Sequence, residues 1–365
     1  MRAAVLSEIN KPLQILDLEQ VPPKAGEVRV QVKAAGVCMS DWHIMNGDWS
    51  LPLPMVLGHE AAGVVIEKGP GVDHVKPGDH VIFSFRPHCG HCRYCSSGRT
   101  VLCIGHNDTP RWRMHDGTAR VKLNGEPVNQ MARIGTFSEE VVCPSEQVVK
   151  VRDDLPFTHA AIIGCSVATG IGAVIRHARV PAGSSVLVIG CGGVGLNIVQ
   201  GARLAGASPI IACDLRDNKL DYAKLFGATR TINATAGNVV ERVREMTDGL
   251  GVETAFDAIG GETTALQVID AVAPGGRAVL VGIPAFSTRA AINPSQIVYG
   301  EKVISGTYYG SVRPNIDFPM LADLDLGKKI NLDDLISRTY ALEQINEGFA
   351  LMLAGEVARG VIVFD

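Results

Sequence analysis

The segment Gly190-Cys191-Gly192-Gly193-Val194-Gly195 stands between an apolar strand-like run, Val186-Leu187-Val188-Ile189, and a helical pattern through Val199 and Leu204. Glycines at this spacing permit a tight turn and let backbone N–H groups approach a pyrophosphate at the positive end of a helix. A second strand, Ile210-Ile211-Ala212-Cys213, follows, then a helix through Leu220 and Leu225, then strands near 254–257 and 278–282. Such alternation predicts a parallel sheet covered on both faces, an α/β arrangement. The second strand ends at Asp214, about 20 residues beyond the glycines, where a carboxylate binds ribose hydroxyls and repels a 2′-phosphate. NAD is therefore favoured over NADP, although Arg216 close by softens the discrimination. The alternative is a glycine turn that only packs helix on strand.

The first 165 residues have another texture. Short β-rich runs (Val28-Arg29-Val30-Gln31-Val32, Ala62-Gly63-Val64-Val65-Ile66, His80-Val81-Ile82-Phe83) are broken by turns such as Lys76-Pro77-Gly78-Asp79, which reads as an irregular all-β unit. At 365 residues the chain is too long for one ordinary core. After about Gly306 one helix and a final strand, Gly360-Val361-Ile362-Val363-Phe364, are expected, the strand returning to the first unit. The formal charge of −4 gives no reason to expect nucleic acid or an anionic membrane as partner. The N-terminus meets a charge before any signal-length apolar region, and no run of about 18 apolar residues occurs. Nine cysteines, an odd number with metal-type clustering, suit a reducing interior, and the cytosol is the expected compartment.

Four of those cysteines, Cys89, Cys92, Cys95 and Cys103, are spaced C-x2-C-x2-C-x7-C. One folded loop can bring such a run around a single tetrahedral Zn²⁺, and four thiolates leave no position for substrate. The lobe, residues 86–104, is thus expected to hold structure. Two disulfides or an iron–sulfur cluster are the alternatives, with usual spacings that differ. The following stretch, 105–135, interleaves Arg111, Arg113, His115 and Arg120 with Asp108, Asp116 and Glu126 and reads as a solvated loop, the alternative being a polyanion site. Cys143, Cys191 and Cys213 lie in or beside apolar strands as packing.

Cys38, His59 and Cys165 are ligand-capable but far apart, each in a glycine-rich setting, and spacing cannot join them. The assembled pattern resembles the zinc-dependent medium-chain alcohol dehydrogenases over essentially the full chain. The carrying residues are Gly58-His59-Glu60-Ala61-Ala62-Gly63, the four-cysteine lobe, Ile163-Gly164-Cys165-Ser166-Val167-Ala168-Thr169-Gly170, the glycine motif, and Glu356-Val357-Ala358-Arg359. The resemblance implies a GroES-like β domain (1–166, completed by 306–365) with an inserted Rossmann doubly wound parallel-sheet domain (167–305), and the active site between them. It implies two zincs per chain, the catalytic one held by Cys38, His59 and Cys165 with one position open.

The same likeness assigns further roles. Glu60 resembles an acid behind the metal that approaches it during ligand exchange, and Asp41 the carboxylate that fixes the His59 tautomer. Ser40 resembles the hydroxyl that takes the alcohol proton, with the cofactor ribose and His43 further along the relay. Gly190, Gly192, Gly193, Val194, Gly195, Asp214, Lys219, Thr169 and Gly282 resemble NAD contacts, and Arg359 a pyrophosphate clamp. Trp49, Ser84 and Phe85 resemble walls of the substrate pocket. The longer branch of the family implies a homodimer, a tetramer being the alternative.

Two departures bear on function. Met39 stands where several relatives carry a basic pyrophosphate contact, which should weaken NAD binding or speed its release. Relatives that oxidise a glutathione adduct use an acidic pocket residue and an arginine anchor; the matching positions here are Trp49 and Asn107, so that substrate is disfavoured. The expected activity is reversible oxidation of a primary alcohol, aromatic or allylic, or of a secondary alcohol, by hydride transfer to NAD. The competing readings are a polyol or sugar-alcohol dehydrogenase of the same superfamily and a non-enzymatic NAD-binding redox sensor.

Overall fold

The computed structural model describes all residues, 1–365, and divides into two compact units, Met1–Cys165 with Arg313–Asp365, and Ser166–Val312. The second unit is built on six parallel strands. Across the sheet they run Arg230–Asn233, Ile210–Asp214, Val186–Ile189, Val252–Asp257, Val272–Leu280 and Val303–Gly306. Numbered along the chain this is 3-2-1-4-5-6, the doubly wound order in which the topology reverses beside the first strand. The central strands are apolar without alternation, Val186–Ile189 being buried at every residue, because helices cover both faces. The helix Gly193–Leu204 starts directly after the first strand, so its N-terminus lies at the carboxyl end of the sheet.

The first unit is mostly β. In one sheet the strands run Val148–Lys150, His80–Phe83, Ala61–Lys68, Glu27–Gly36, Arg359–Val363 and Ile336–Tyr340, with Glu140–Pro144 also paired to Glu27–Gly36. A second sheet runs Gln14–Asp17, Arg2–Leu6, Met55–Val56, Glu126–Gln130, Val121–Leu123 and Glu19–Gln20. The last strand does return to the first unit, antiparallel to Glu27–Gly36, with Val361 opposite Gly36 and Val363 opposite Ala34.

Two expectations are corrected here. The tail holds two helices and two strands, because Pro314–Leu326 and Ile336–Tyr340 accompany Ile345–Ala354 and Arg359–Val363. Ile336–Tyr340 buries only its last residue well, so it carries little apolar signal. The 105–135 stretch is not a solvated loop throughout. It contains the hairpin of Val121–Leu123 with Glu126–Gln130, turned at Asn124 (φ 52°) and Gly125 (φ 81°). Asn-Gly with both residues at positive φ is the preferred two-residue hairpin turn, and that dipeptide could have revealed it. Arg120 within this stretch is 1% exposed and forms a two-bond ion pair with Glu27, at 2.7 and 2.6 Å.

The helical run from Phe157 to Ala178 is long and apolar enough to cross a membrane by length and composition, but 83% of its most apolar window is buried inside the protein. It is a core helix. It widens into π geometry at Ile163–Val167, the turn that carries Cys165. Wide turns of this kind recur at functional sites, since the extra residue redirects a side chain.

Candidate metal centres and dinucleotide site

In the lobe, the sulfurs of Cys89, Cys92, Cys95 and Cys103 gather with all donor atoms within 4.8 Å, and none is in a disulfide. Cys92 Sγ is 3.5 Å from Cys95 Sγ and 3.9 Å from Cys103 Sγ. Four sulfurs about 2.3 Å from a central ion sit about 3.8 Å apart, so the set fits one tetrahedral zinc. Backbone N–H groups already point at the sulfurs, Cys89 N to Cys103 Sγ at 3.2 Å and Cys92 N to Cys89 Sγ at 3.3 Å. Hydrogen bonds from the backbone of Cys95 and Ile104 hold the Cys92 thiol down at about 6. Burial, reinforced by Cys92, pushes Cys95 up to about 12.

A second group unites Cys38, His59, Glu60 and Cys165, every one buried. These come from three places in the chain: the start of the short helix Met39–Met45, the loop before strand Ala61–Lys68, and the π turn. Gly58 is at φ +93°, and a Cβ there would lie 2.6 Å from the Phe137 nitrogen, so only glycine can precede the histidine. His59 Nδ1 lies 3.2 Å from Asp41 Oδ1, which also accepts the Gly58 N–H at 3.0 Å. With Nδ1 committed to the carboxylate, Nε2 is the nitrogen left to bind a metal. Burial opposes charge on the His59 ring, but Asp41 and the Cys38 sulfur outweigh it and hold the imidazole well above its ordinary value. A hydrogen bond from Cys165 holds the Cys38 thiol well below its ordinary range, and the same contact pushes Cys165 well up. Two buried sulfurs and an imidazole are the donors an open catalytic zinc site uses.

Behind this group, Glu60 forms a buried ion pair with Arg359, at 0% and 7% side-chain exposure. Burial raises the Glu60 carboxyl, and the Arg359 guanidinium draws it back down. Ser40 and His43 sit three residues apart on Met39–Met45, one face of a single turn. His43 Nδ1 is 2.8 Å from Asp48 Oδ2, and its ring stacks on Trp49 with centroids 5.0 Å apart. Phe85 meets His59 edge-on at 5.5 Å. Ser84 is fully buried and donates to the Arg86 carbonyl at 3.2 Å, so it faces the protein interior. Met39 is 42% exposed. Sequence reasoning did not foresee Asp48 or the Glu60–Arg359 pair; an acidic residue in the turn after His43 was the available signal for the first.

In the second unit, Gly195 packs helix against strand so closely that a Cβ would lie 1.7 Å from the Gly190 carbonyl oxygen. At Gly192 a Cβ would meet nothing within 4 Å, leaving open the approach a pyrophosphate needs. Asp214 Oδ2 accepts the Cys191 N–H at 2.8 Å and Oδ1 accepts the Arg216 N–H at 3.1 Å, which fixes the carboxylate beside the glycine turn. Lys219 is 8% exposed and burial lowers its ammonium. Thr169 is 9% exposed, Val194 lies in the first turn of Gly193–Leu204, and Gly282 follows the fifth strand against Ile259 and Gly260. Cys143, Cys191 and Cys213 are fully buried, and burial pushes the Cys213 thiol up to about 12. They are inert packing.

Residues 24–153 match the model of the alcohol dehydrogenase GroES-like domain and residues 193–324 that of the zinc-binding dehydrogenases. The chain is 41% identical over 373 residues to an S-(hydroxymethyl)glutathione dehydrogenase of Paracoccus denitrificans, covering 100% of this chain and 99% of the relative. It is 41% identical to an alcohol dehydrogenase class-3 of Cereibacter sphaeroides at the same coverage. The crystal structure of benzyl alcohol dehydrogenase from Acinetobacter calcoaceticus superposes with a TM-score of 0.94 at 31% identity, over 100% of this chain and 99% of that one. The chain belongs to the zinc-dependent medium-chain alcohol dehydrogenases. It is an oxidoreductase acting on CH–OH donors, with small-molecule alcohols or aldehydes as substrates and zinc and NAD as cofactors. The non-enzymatic sensor reading is thereby set aside.

Proposed function

We propose that this dehydrogenase acts on apolar primary alcohols, aromatic or allylic, and reduces the corresponding aldehydes. The observation that carries the reading is the pair of aromatic contacts, Phe85 edge-on to His59 and Trp49 stacked on His43. Rings against both the metal-ligand imidazole and the relay imidazole favour an apolar substrate body over a polyol. Asn107 is exposed and uncharged, so the anion anchor a glutathione adduct needs is missing despite the names of the sequence relatives. The benzyl alcohol dehydrogenase neighbour supports the aromatic choice.

Held by Cys38, His59 and Cys165, zinc would lower the hydroxyl pKa of the alcohol, and NAD would accept its hydride. The chain's own groups do the rest. Asp41 keeps the proton on His59 Nδ1 so that Nε2 remains a donor. Ser40 accepts the alcohol proton and His43, steadied by Asp48, passes it toward solvent. Arg359 neutralises Glu60 and holds the carboxylate behind the donor set. The dinucleotide takes the helix N-terminus at Gly192 to Gly195, Asp214 on its ribose, and contacts from Thr169, Val194, Lys219 and Gly282. A homodimer in the cytosol completes the reading. The test is a panel of benzyl alcohol, cinnamyl alcohol, sorbitol and the S-hydroxymethyl adduct of glutathione, with NAD and NADP, following reduced nicotinamide. We expect kcat/KM for benzyl or cinnamyl alcohol to exceed sorbitol and the adduct by at least about a hundredfold, some 2.7 kcal/mol. Preference for the adduct or for sorbitol would overturn the assignment.

A further inference from the structure

One more group of ligand-capable side chains converges outside the donor sets above: His106, His115 and Glu146, with donor atoms all within 4.8 Å of one another. We propose that they form a third metal site, binding one divalent transition ion of the zinc class through two imidazole nitrogens and one carboxylate oxygen.

The geometry carries this. His115 Nε2 is 2.6 Å and His106 Nε2 3.3 Å from the same oxygen, Glu146 Oε1. The two rings stack with centroids 3.8 Å apart and planes 16° from parallel. Both Nε2 edges thus face one oxygen. His115 Nε2 and Glu146 Oε1 are hydrogen-bonded, but His106 Nε2 is buried and makes no hydrogen bond. A buried ring nitrogen without a partner is costly, and two cationic imidazoles this close repel. A divalent cation between them removes the conflict, because two neutral imidazole lone pairs and a carboxylate are a donor set that zinc accepts with further positions left for water.

The backbone around each ligand is already pinned, as a metal site requires. Arg133, 1% exposed, donates to the carbonyls of His106 (3.2 Å) and Thr109 (3.0 Å). His115 lies in a tight turn closed by Met114 N to Thr118 O at 3.0 Å, and buried Arg120 grips neighbouring Asp116 at 2.9 Å. Glu146 sits in the turn Ser145–Gln147, whose Gln147 side chain is fully buried and donates to Ser84 O and Ala132 O, each at 2.9 Å. The three ligands line a cavity of about 560 Å³ shared with His88 and Asp116, which leaves room for water on the ion. The ion would staple the stretch carrying His106 and His115 to the 145–147 turn.

The test uses the purified enzyme with its sulfur-held zinc in place, freed of loose metal on a chelating resin and titrated calorimetrically with Zn²⁺. Wild type should take up one additional equivalent per chain. His115→Asn and Glu146→Gln should each lose that uptake or weaken it at least tenfold, while keeping resin-resistant zinc content and alcohol oxidation. Circular dichroism checks that both variants fold. Co²⁺ in place of Zn²⁺ should add d–d bands without the sulfur-to-metal charge-transfer bands of the cysteine centres. No added uptake by wild type up to millimolar Zn²⁺, uptake unchanged in both variants, or added Co²⁺ showing sulfur charge transfer would each overturn the site. None of these outcomes bears on the alcohol assignment, which stands or falls on turnover.

Discussion

The two cysteine-bearing centres of this enzyme use similar atoms for opposite ends. In the lobe, four sulfurs from 15 consecutive residues surround one point and exhaust its coordination. In the other, two sulfurs and an imidazole arrive from segments as far apart as Cys38 and Cys165, 127 positions along the chain, all buried, with a carboxylate rather than a fourth sulfur alongside. The lobe can organise itself locally, since a short loop closes at little entropic cost. The second centre exists only after two sheets and a π turn have formed. An open coordination position is safe only where surrounding structure keeps each donor from rearranging to fill it.

The sharpest break comes from His59→Ala. Turnover should fall by on the order of a thousandfold or more, while metal analysis still finds the lobe zinc, one per chain. Loss of both zincs, or of neither, would erase the distinction between the centres. Cys103→Ser attacks the other side. It should lower the unfolding midpoint by roughly ten degrees, at about 2–4 degrees per kcal/mol, and calorimetry with zinc analysis reads it. An unchanged midpoint would mean the lobe is not holding structure.

Arg359→Met asks whether the open centre depends on its buried ion pair. Removing the guanidinium that pairs with buried Glu60 should cost roughly 3–5 kcal/mol, and Glu60→Gln in the same chain should restore much of it in denaturant melts. Additive losses would rule out coupling. Asp41→Asn should weaken zinc at the open centre about 10–100-fold, read by competition with a chelator; equal weakening at the lobe would make Asp41 a general stabiliser. The smallest effect concerns Asp116. Burial alone would raise its carboxyl, but Lys24, Thr118 and Arg120 outweigh burial and hold it well below the usual range. Stability from that depression is present above about pH 4, the unfolded value, and is lost as pH falls below it. Asp116→Asn should shallow the acid limb of the stability curve by under about 1 kcal/mol, because the group is partly exposed. An unchanged limb would show that the ion pair contributes nothing.

Legibility followed sequence distance. The lobe was readable because its ligands are neighbours, and the glycine turn because strand, turn and helix are contiguous. The open centre was reachable only through resemblance, as nothing in the spacing of Cys38, His59 and Cys165 joins them. The Glu60–Arg359 pair spans 299 residues and left no local trace. Arg120 read as solvated because alternating charges normally face water, whereas Glu27, 93 residues away, buries it. His115 read the same way, and its stacking on His106 and its contact with Glu146 exist only in the folded chain.

By itself the sequence determined the elements whose cause is local: four of the six parallel strands of Ser166–Val312, the glycine turn with Asp214 beyond it, and the four-sulfur lobe. Tertiary structure alone decided which distant donors share a centre, that Arg359 faces Glu60, and that two histidines of an apparent surface loop meet a glutamate. The reason is physical. Backbone preference and hydrophobic period act over a few residues, whereas a metal donor set or a buried ion pair is defined by distances of a few ångström between groups that only the packed core brings together.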